Sequence, residues 1–160
     1  MSGIFIGIGS NQNNPKQLVL ESIEKIDAIV DLKITKQSSL YKTSPIGFMD
    51  QPDFINAVIE VAYKKSPELL IKNLLEIEVL FGRIRKEKNG PRTLDLDILL
   101  FKNIHMNKNN LIIPHQRMHE RLFVLLPLHE IAPNIFIEPY GSIKNLISNA
   151  PVSTLKKIKL

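Results

Sequence analysis

Between Gly3 and Phe101 the apolar repeat switches from every second residue to about every 3.6 and back, and this succession restricts the fold more than any single motif. Gly3 to Ser10 sets Ile4, Ile6 and Ile8 on one face and predicts a strand. Asn14-Pro15 supplies a helix cap and a first-turn proline, and Val19, Ile23, Ile26 and Val30 follow at helical spacing. Leu32 to Lys42 predicts a second strand and Phe54 to Lys64 a third. Between them, Thr43-Ser44-Pro45-Ile46-Gly47 through Pro52 is turn chemistry, a loop long enough to line a site. Ser66-Pro67 repeats the cap-and-proline signal, and Leu70, Leu74, Ile77 and Phe81 form one apolar face that stops at Gly82. Leu94 to Phe101 predicts a fourth strand.

The resulting order, β-α-β-β-α-β, defines an α+β ferredoxin-like plait, an antiparallel sheet with helices packed on it. The rest of the chain reads as a C-terminal extension: Lys102 to Asn110 polar and turn-like, Glu120 to Leu128 helical up to Pro127, and Ser142 to Asn149 a short last helix. A length of 160 residues with 44% hydrophobic and 23% charged residues fits one globular domain, 1–160. The absence of cysteine excludes a disulfide scaffold, a thiolate zinc site and an iron–sulfur centre. No basic start with an apolar block opens the chain and no stretch approaches 18 apolar residues, so the expectation is a cytoplasmic protein without a membrane partner.

Charge distribution says more than the formal +5. From Arg83 to Arg92 five cations (Arg83, Arg85, Lys86, Lys88, Arg92) accompany a single acid, Glu87, and two aspartates, Asp95 and Asp97, follow at once. In a strand these two carboxylates share a face while Leu94, Leu96 and Ile98 point away. Two residues advance about 6.6 Å, which lets the carboxylate oxygens converge on divalent ions about 3.5–4 Å apart. Oxygen-only ligands favour magnesium or manganese over zinc. The spacing alone is equally that of a solvated strand face. The cations weigh against that: magnesium reaches proteins through one or two carboxylates plus substrate phosphates, and Arg83, Arg85, Lys88 and Arg92 are counter-charges for phosphates. The combination points to phosphoryl-type transfer.

Ile6-Gly7-Ile8-Gly9-Ser10-Asn11-Gln12 lacks the third glycine of a dinucleotide-binding turn, and the simpler expectation is a tight turn after a strand. No Walker lysine motif occurs. His115 and His119 lie four apart without a His-Glu-x-x-His pattern, which favours His115 as a phosphate-facing donor over a zinc pair and leaves His119 and His129 to surface or packing. Aromatic residues make up only 6%, so Phe54, beside Asn56, and Phe123, after Arg121, are candidates to stack on a planar heterocycle, with ordinary core packing as the alternative.

Tyr41-Lys42-Thr43-Ser44-Pro45-Ile46-Gly47, Asp50 to Ala57, Gly82-Arg83-Ile84-Arg85, Gly90 to Phe101, Pro114-His115 and Arg121-Leu122-Phe123 together resemble the hydroxymethyl-dihydropterin pyrophosphokinase family of folate synthesis. The resemblance runs from Gly7 to Pro133, and its most specific block is Gly-Pro-Arg-Thr-Leu-Asp-Leu-Asp-Ile. It implies transfer of the β,γ-diphosphate of ATP to the hydroxymethyl group of 6-hydroxymethyl-7,8-dihydropterin, with release of AMP. It also implies two Mg2+ ions held by Asp95 and Asp97, and Arg83 and Arg92 steadying the transferring group. Glu78, Arg85, His115 and Arg121 would help hold ATP, with Leu75, Ile98, Leu111 and Ile112 around adenine and ribose. The pterin would lie between Phe54 and Phe123, its amide-like edge read by Asn56 and by backbone groups of Thr43, Ser44 and Ile46.

This sequence departs from the family pattern at Lys88-Asn89, in place of arginine and tryptophan, and at Phe54 and Gln116, each in place of a frequent tyrosine. Phe54 preserves stacking; lysine lacks the bidentate fork of arginine. The like charges from Gly82 to Asn89 predict a segment that closes over nucleotide once phosphate neutralises them. An RNA-binding plait is the competing reading, but Gly82-Arg83-Ile84-Arg85 carries none of the stacking rings such a sheet uses. The expectation is a monomer acting on small molecules, with no nucleic-acid partner.

Overall fold

The computed structural model describes residues 3–12, 14–43, 52–82, 94–109, 111–151 and 154–158. Strand β1 (Ile4–Ser10), helix α1 (Pro15–Asp27), strands β2 (Leu32–Gln37), β3 (Leu40–Thr43) and β4 (Phe54–Tyr63), helix α2 (Pro67–Leu80) and strand β5 (Asp95–Phe101) follow in the expected order. The sheet runs β3-β4-β1-β5, with β2 also paired to β4, and the pairings within it are antiparallel. This is the ferredoxin-like plait.

The expected second strand is broken in two. β2 pairs with the far half of β4 and β3 with its start, and between them the Ser38 side chain takes over a backbone role: its Oγ accepts from the Val58 N–H at 2.9 Å, while its own N–H donates to the Val58 carbonyl at 2.9 Å. Both segments therefore hold one partner across a kink.

α1 stops at Asp27, so Val30, expected on its apolar face, stands 75% exposed in the turn beyond. Asn14 occupies the cap position in a left-handed conformation without a capping side-chain bond, whereas Ser66 does cap α2 by accepting from Leu69 N–H at 3.2 Å. Gly82 ends α2 with φ +80°, a conformation that costs glycine little.

The sheet separates two cores. On one face Ile4, Ile6, Ile8, Ile55, Ala57, Ile59, Leu96 and Ile98 pack with α1 and α2 through Val19, Ile23, Ile26, Leu70, Leu74 and Ile77. On the other, Phe5, Val58 and Leu99 pack with helix α3 (Leu122–Ile131) and helix α4 (Ile143–Asn149). A β-bulge in β5 lets β1 pass from partner Ile98 to partner Leu100, which sets both Leu99 and Leu100 in the second core.

The extension departs from expectation in three places. Within the stretch expected to be turn-like, β6 (Met106–Lys108) pairs with β7 (Leu111–Ile113). α3 begins at Leu122, not Glu120, and continues through Pro127 to Ile131. A proline removes one helical hydrogen bond, yet burial of Val124, Leu125, Leu128 and Ile131 keeps the helix intact. The short strands β8 (Phe136–Ile137) and β9 (Gly141–Ser142) precede α4, and β10 (Leu155–Ile158), absent from the sequence-based expectation, pairs with β3 at the sheet edge.

Candidate active site

Antiparallel register places functional side chains in rows. Asn56 of β4, Gly9 of β1 and Asp95 of β5 lie side by side, and Val58, Gly7 and Asp97 form the next row. Cross-strand partners point to the same face. The sheet therefore presents an amide, a side-chain-free floor and two carboxylates to the side covered by α3.

The cleft on that face is lined by Gly7, Gly9, Thr43, Phe54, Asn56, Asp95, Asp97, His115, Arg117, Arg121 and Phe123 among others. Eight sequence-predicted residues thus meet in one place: Thr43, Phe54, Asn56, Asp95, Asp97, His115, Arg121 and Phe123. Asn56 is buried, and its Nδ2 donates to Thr43 Oγ1 at 3.1 Å, which sets the plane of its carboxamide. Asn11, at the end of β1, donates from Nδ2 to the Pro52 carbonyl at 3.2 Å and ties the start of β4, hence Phe54, to the sheet. Opposite, the Arg121 guanidinium lies 5.6 Å from the centre of the Phe123 ring.

Asp95 and Asp97 are half-buried and alternate with buried Leu96 and Ile98, as the period of two predicts. The peptide between them is anchored from behind: buried Glu78 accepts from Leu96 N–H at 2.7 Å. His115 is held by its own N–H donating to the Leu99 carbonyl at 2.9 Å, and its Nδ1 accepts from Arg117 N–H at 3.2 Å. Nε2 is thereby left as the nitrogen that carries a proton to donate. Burial first, then the charge of Arg121, lowers the pKa of His115 to about 4; Asp95 pulls the other way and Arg117 adds to the lowering. At neutral pH the ring is an uncharged donor flanked by permanent cations.

The other candidates lie elsewhere. Leu75 is exposed on α2, Glu78 is buried behind β5, Ile98 and Leu111 belong to the core on the helical face, and Ile112 is half-buried on β7. None of them lines the cleft. Gln116 is exposed. Ser44, Ile46, Arg83, Arg85, Lys88, Asn89 and Arg92 lie outside the described residues, and so does the segment beyond Gly82 expected to close over nucleotide.

Gly7 and Gly9 lie inside β1, as the strand predicted from Gly3 to Ser10 has them, and take no part in a turn after it. The signal was the isoleucine alternation itself: with Ile4, Ile6 and Ile8 on one face, Gly7 and Gly9 must face the other. Arg117 was missed, since a lone arginine in an irregular stretch has no period to place it. His119 stacks on Tyr140 with ring centres 3.8 Å apart, a packing role.

Among the described residues no group of three or more His, Cys, Asp or Glu converges as a metal cage. Two carboxylates on one strand suit a magnesium ion that completes its shell with phosphate oxygens and water.

Comparison with solved structures supports the fold. An HPPK-DHPS crystal structure in complex with substrates superposes with a TM-score of 0.67 at 16% identity, covering 92% of this chain and 43% of that one. Plasmodium falciparum HPPK-DHPS wild type with pteroate gives 0.69 at 17% identity, over 92% of this chain and 42% of that one. The chain spans about two fifths of the length of these matches. A profile of the 7,8-dihydro-6-hydroxymethylpterin-pyrophosphokinase (HPPK) family matches residues 5–133, and the chain belongs to that family. It is 39% identical over 143 residues to the 2-amino-4-hydroxy-6-hydroxymethyldihydropteridine pyrophosphokinase of Haemophilus influenzae, covering 89% of each chain. The Bacillus subtilis protein of that name is also 39% identical, over 131 residues, with 82% of this chain and 78% of the relative covered.

Proposed function

We infer that this chain transfers the β,γ-diphosphate of ATP to the hydroxymethyl oxygen of 6-hydroxymethyl-7,8-dihydropterin, releasing AMP, as a step of folate biosynthesis. The observation that carries the reading is one cleft lined by a carboxamide, two phenyl rings and two adjacent carboxylates. A flat ring with donors and acceptors on one edge suits Phe54, Phe123 and Asn56, with backbone groups of Thr43, Ser44 and Ile46 as further partners. The hydroxymethyl arm then extends along the sheet toward Asp95 and Asp97, one strand beyond Gly9.

Asp95 and Asp97 would hold two magnesium ions, which when bound supply charge neutralisation and orientation of the polyphosphate. The chain's own residues do the rest. The pterin oxygen forms a bond to the β-phosphorus, the bond from that phosphorus to the oxygen bridging it to the α-phosphorus breaks with its electron pair leaving on AMP, and the hydroxyl proton passes to solvent. Arg83 and Arg92 stabilise charge on the transferring group, and Arg85, Lys88, Arg121 and neutral His115 donate to phosphate oxygens. Glu78 keeps the aspartate strand in place through Leu96. Adenine and ribose would meet Leu75, Ile98, Leu111 and Ile112; since Ile98 and Leu111 bury their side chains, their backbone groups are what they offer.

In this reading residues 1–160 act as one domain, a cytoplasmic monomer with small-molecule partners and neither nucleic acid nor membrane. Among the described residues no helix is long and apolar enough to cross a membrane. The test is product analysis with purified protein, ATP, magnesium and the pterin alcohol. AMP forming in step with pterin diphosphate, and only with both magnesium and pterin present, is expected. ADP formed stoichiometrically with product would overturn diphosphate transfer.

A further inference from the structure

Gly9 lies near the end of β1 but still within its ladders, paired with Asn56 on one side and Asp95 on the other, where it gives up the β-propensity of a side chain. No turn or positive φ requires glycine there. What requires it is space. A Cβ built on Gly9 would sit 2.8 Å from Asn56 Oδ1, closer than real Cβ contacts come, and its three nearest heavy atoms all belong to Asn56 and Ile55. The same carboxamide is tethered at its other end, Nδ2 donating to Thr43 Oγ1 at 3.1 Å. Asn56 is 6% exposed, so the displaced group has little room to turn elsewhere.

We propose that Gly9 is a positioning residue for pterin recognition: the missing side chain lets the Asn56 carboxamide lie flat over β1, with its donor and acceptor presented together to the lactam edge of the ring. The inference deepens the reading of the cleft as a pterin site and rests on it. A carboxamide pairs with a lactam through one accepted and one donated hydrogen bond, and both depend on the amide plane. A methyl at position 9 pushes Oδ1 off that plane without touching the phenyl rings. Gly7, the next glycine on this face, has a different neighbour, since its Cβ would meet Leu99 Cδ2 at 3.3 Å.

The experiment compares wild type, Gly9→Ala, Asn56→Ser and the double variant. Pterin dissociation constants are read from ring fluorescence, ATP affinity is measured separately, and kcat and KM follow from AMP release. Gly9→Ala is expected to weaken pterin binding about tenfold, the cost of one mis-set hydrogen-bonding pair, with ATP affinity unchanged. In the Asn56→Ser background, where the clashing oxygen is gone, the same substitution should cost little more, so the two effects are non-additive.

Wild-type pterin affinity in Gly9→Ala, additive losses in the double variant, or equal weakening of pterin and ATP would each overturn the proposal. Should Gly9→Ala fail to fold, the double variant is expected to fold because the clash has been removed; failure of both overturns action through Asn56. A wild-type protein with no affinity for the pterin removes the reading of the site and this inference together, whereas a binding wild type with an unaffected Gly9→Ala removes the inference alone.

Discussion

At the scale of single residues, neighbours on one face decide the chemistry. Asp95 and Asp97 share the cleft face because Leu96 between them is claimed by the core and by Glu78 through its N–H. Under the proposed role of holding magnesium, Asp95→Asn and Asp97→Asn are each expected to lower kcat by about 100-fold or more, while the melting temperature stays within a few degrees. Steady-state kinetics at saturating magnesium beside thermal unfolding checks this; either variant at near wild-type turnover removes that aspartate from the metal site. His115 makes a separate prediction from its lowered pKa. Unfolded, the imidazole takes up its proton near its ordinary 6.5, and folded only near 4, so between these values the unfolded chain binds more protons. The stability gained from the neutral ring is complete above about 6.5 and is lost as the pH falls through about 4. Urea midpoints at stepped pH should therefore fall less steeply for His115→Gln than for wild type across that window, and parallel curves would refute the assignment.

At the scale of elements, the joints between strands and helices carry the exposed risk. Ser38 bridges the break between β2 and β3: Ser38→Ala leaves the buried Val58 N–H without its acceptor, at an expected cost of about 1–3 kcal/mol. For a chain of this size that is a fall of roughly 2–4 °C per kcal/mol, readable by calorimetry; an unchanged melting temperature would show the backbone closing the gap itself. Glu130, near the end of α3, gathers bonds from Ser39 N–H at 3.0 Å, Ser39 Oγ at 2.7 Å and Tyr41 Oη at 2.7 Å, with Lys157 Nζ at 3.6 Å. Burial pushes its carboxyl up, but the Tyr41 and Ser39 hydrogen bonds and the Lys157 charge hold it below the ordinary value. Burial, reinforced by the bond to Glu130, raises the Tyr41 phenol. One carboxylate thus fastens α3, which starts at the cleft with Phe123, to the strand that ends there with Thr43.

At the scale of the whole molecule, the sheet has one edge that the chain closes with its own tail. β10 pairs Leu155 with Thr43 and Ile158 with Leu40, covering the free side of β3. An uncovered edge strand is a template for pairing with other chains. A chain truncated after Ala150 is therefore expected to melt several degrees lower and to self-associate in light scattering as concentration rises. A truncated protein that stays monomeric with an unchanged melting temperature would show that β10 contributes nothing to the edge.

The sequence by itself determined the β-α-β-β-α-β order of the plait, the faces of β1 and β5, the cap of α2 and the stop at Gly82, because these depend on local repeats and backbone preferences. It also carried the identity of half of the cleft residues, mainly through motif resemblance. Only the tertiary structure decided the rest. The path of α3 through Pro127 rests on burial against the second face of the sheet, which outweighs a local breaker. Short strands such as β6 and β10 exist only through distant partners, so no local period announces them. The use of Gly9 depends on Asn56, which is distant in sequence and becomes its neighbour only through antiparallel register, a contact that neither residue's local sequence encodes.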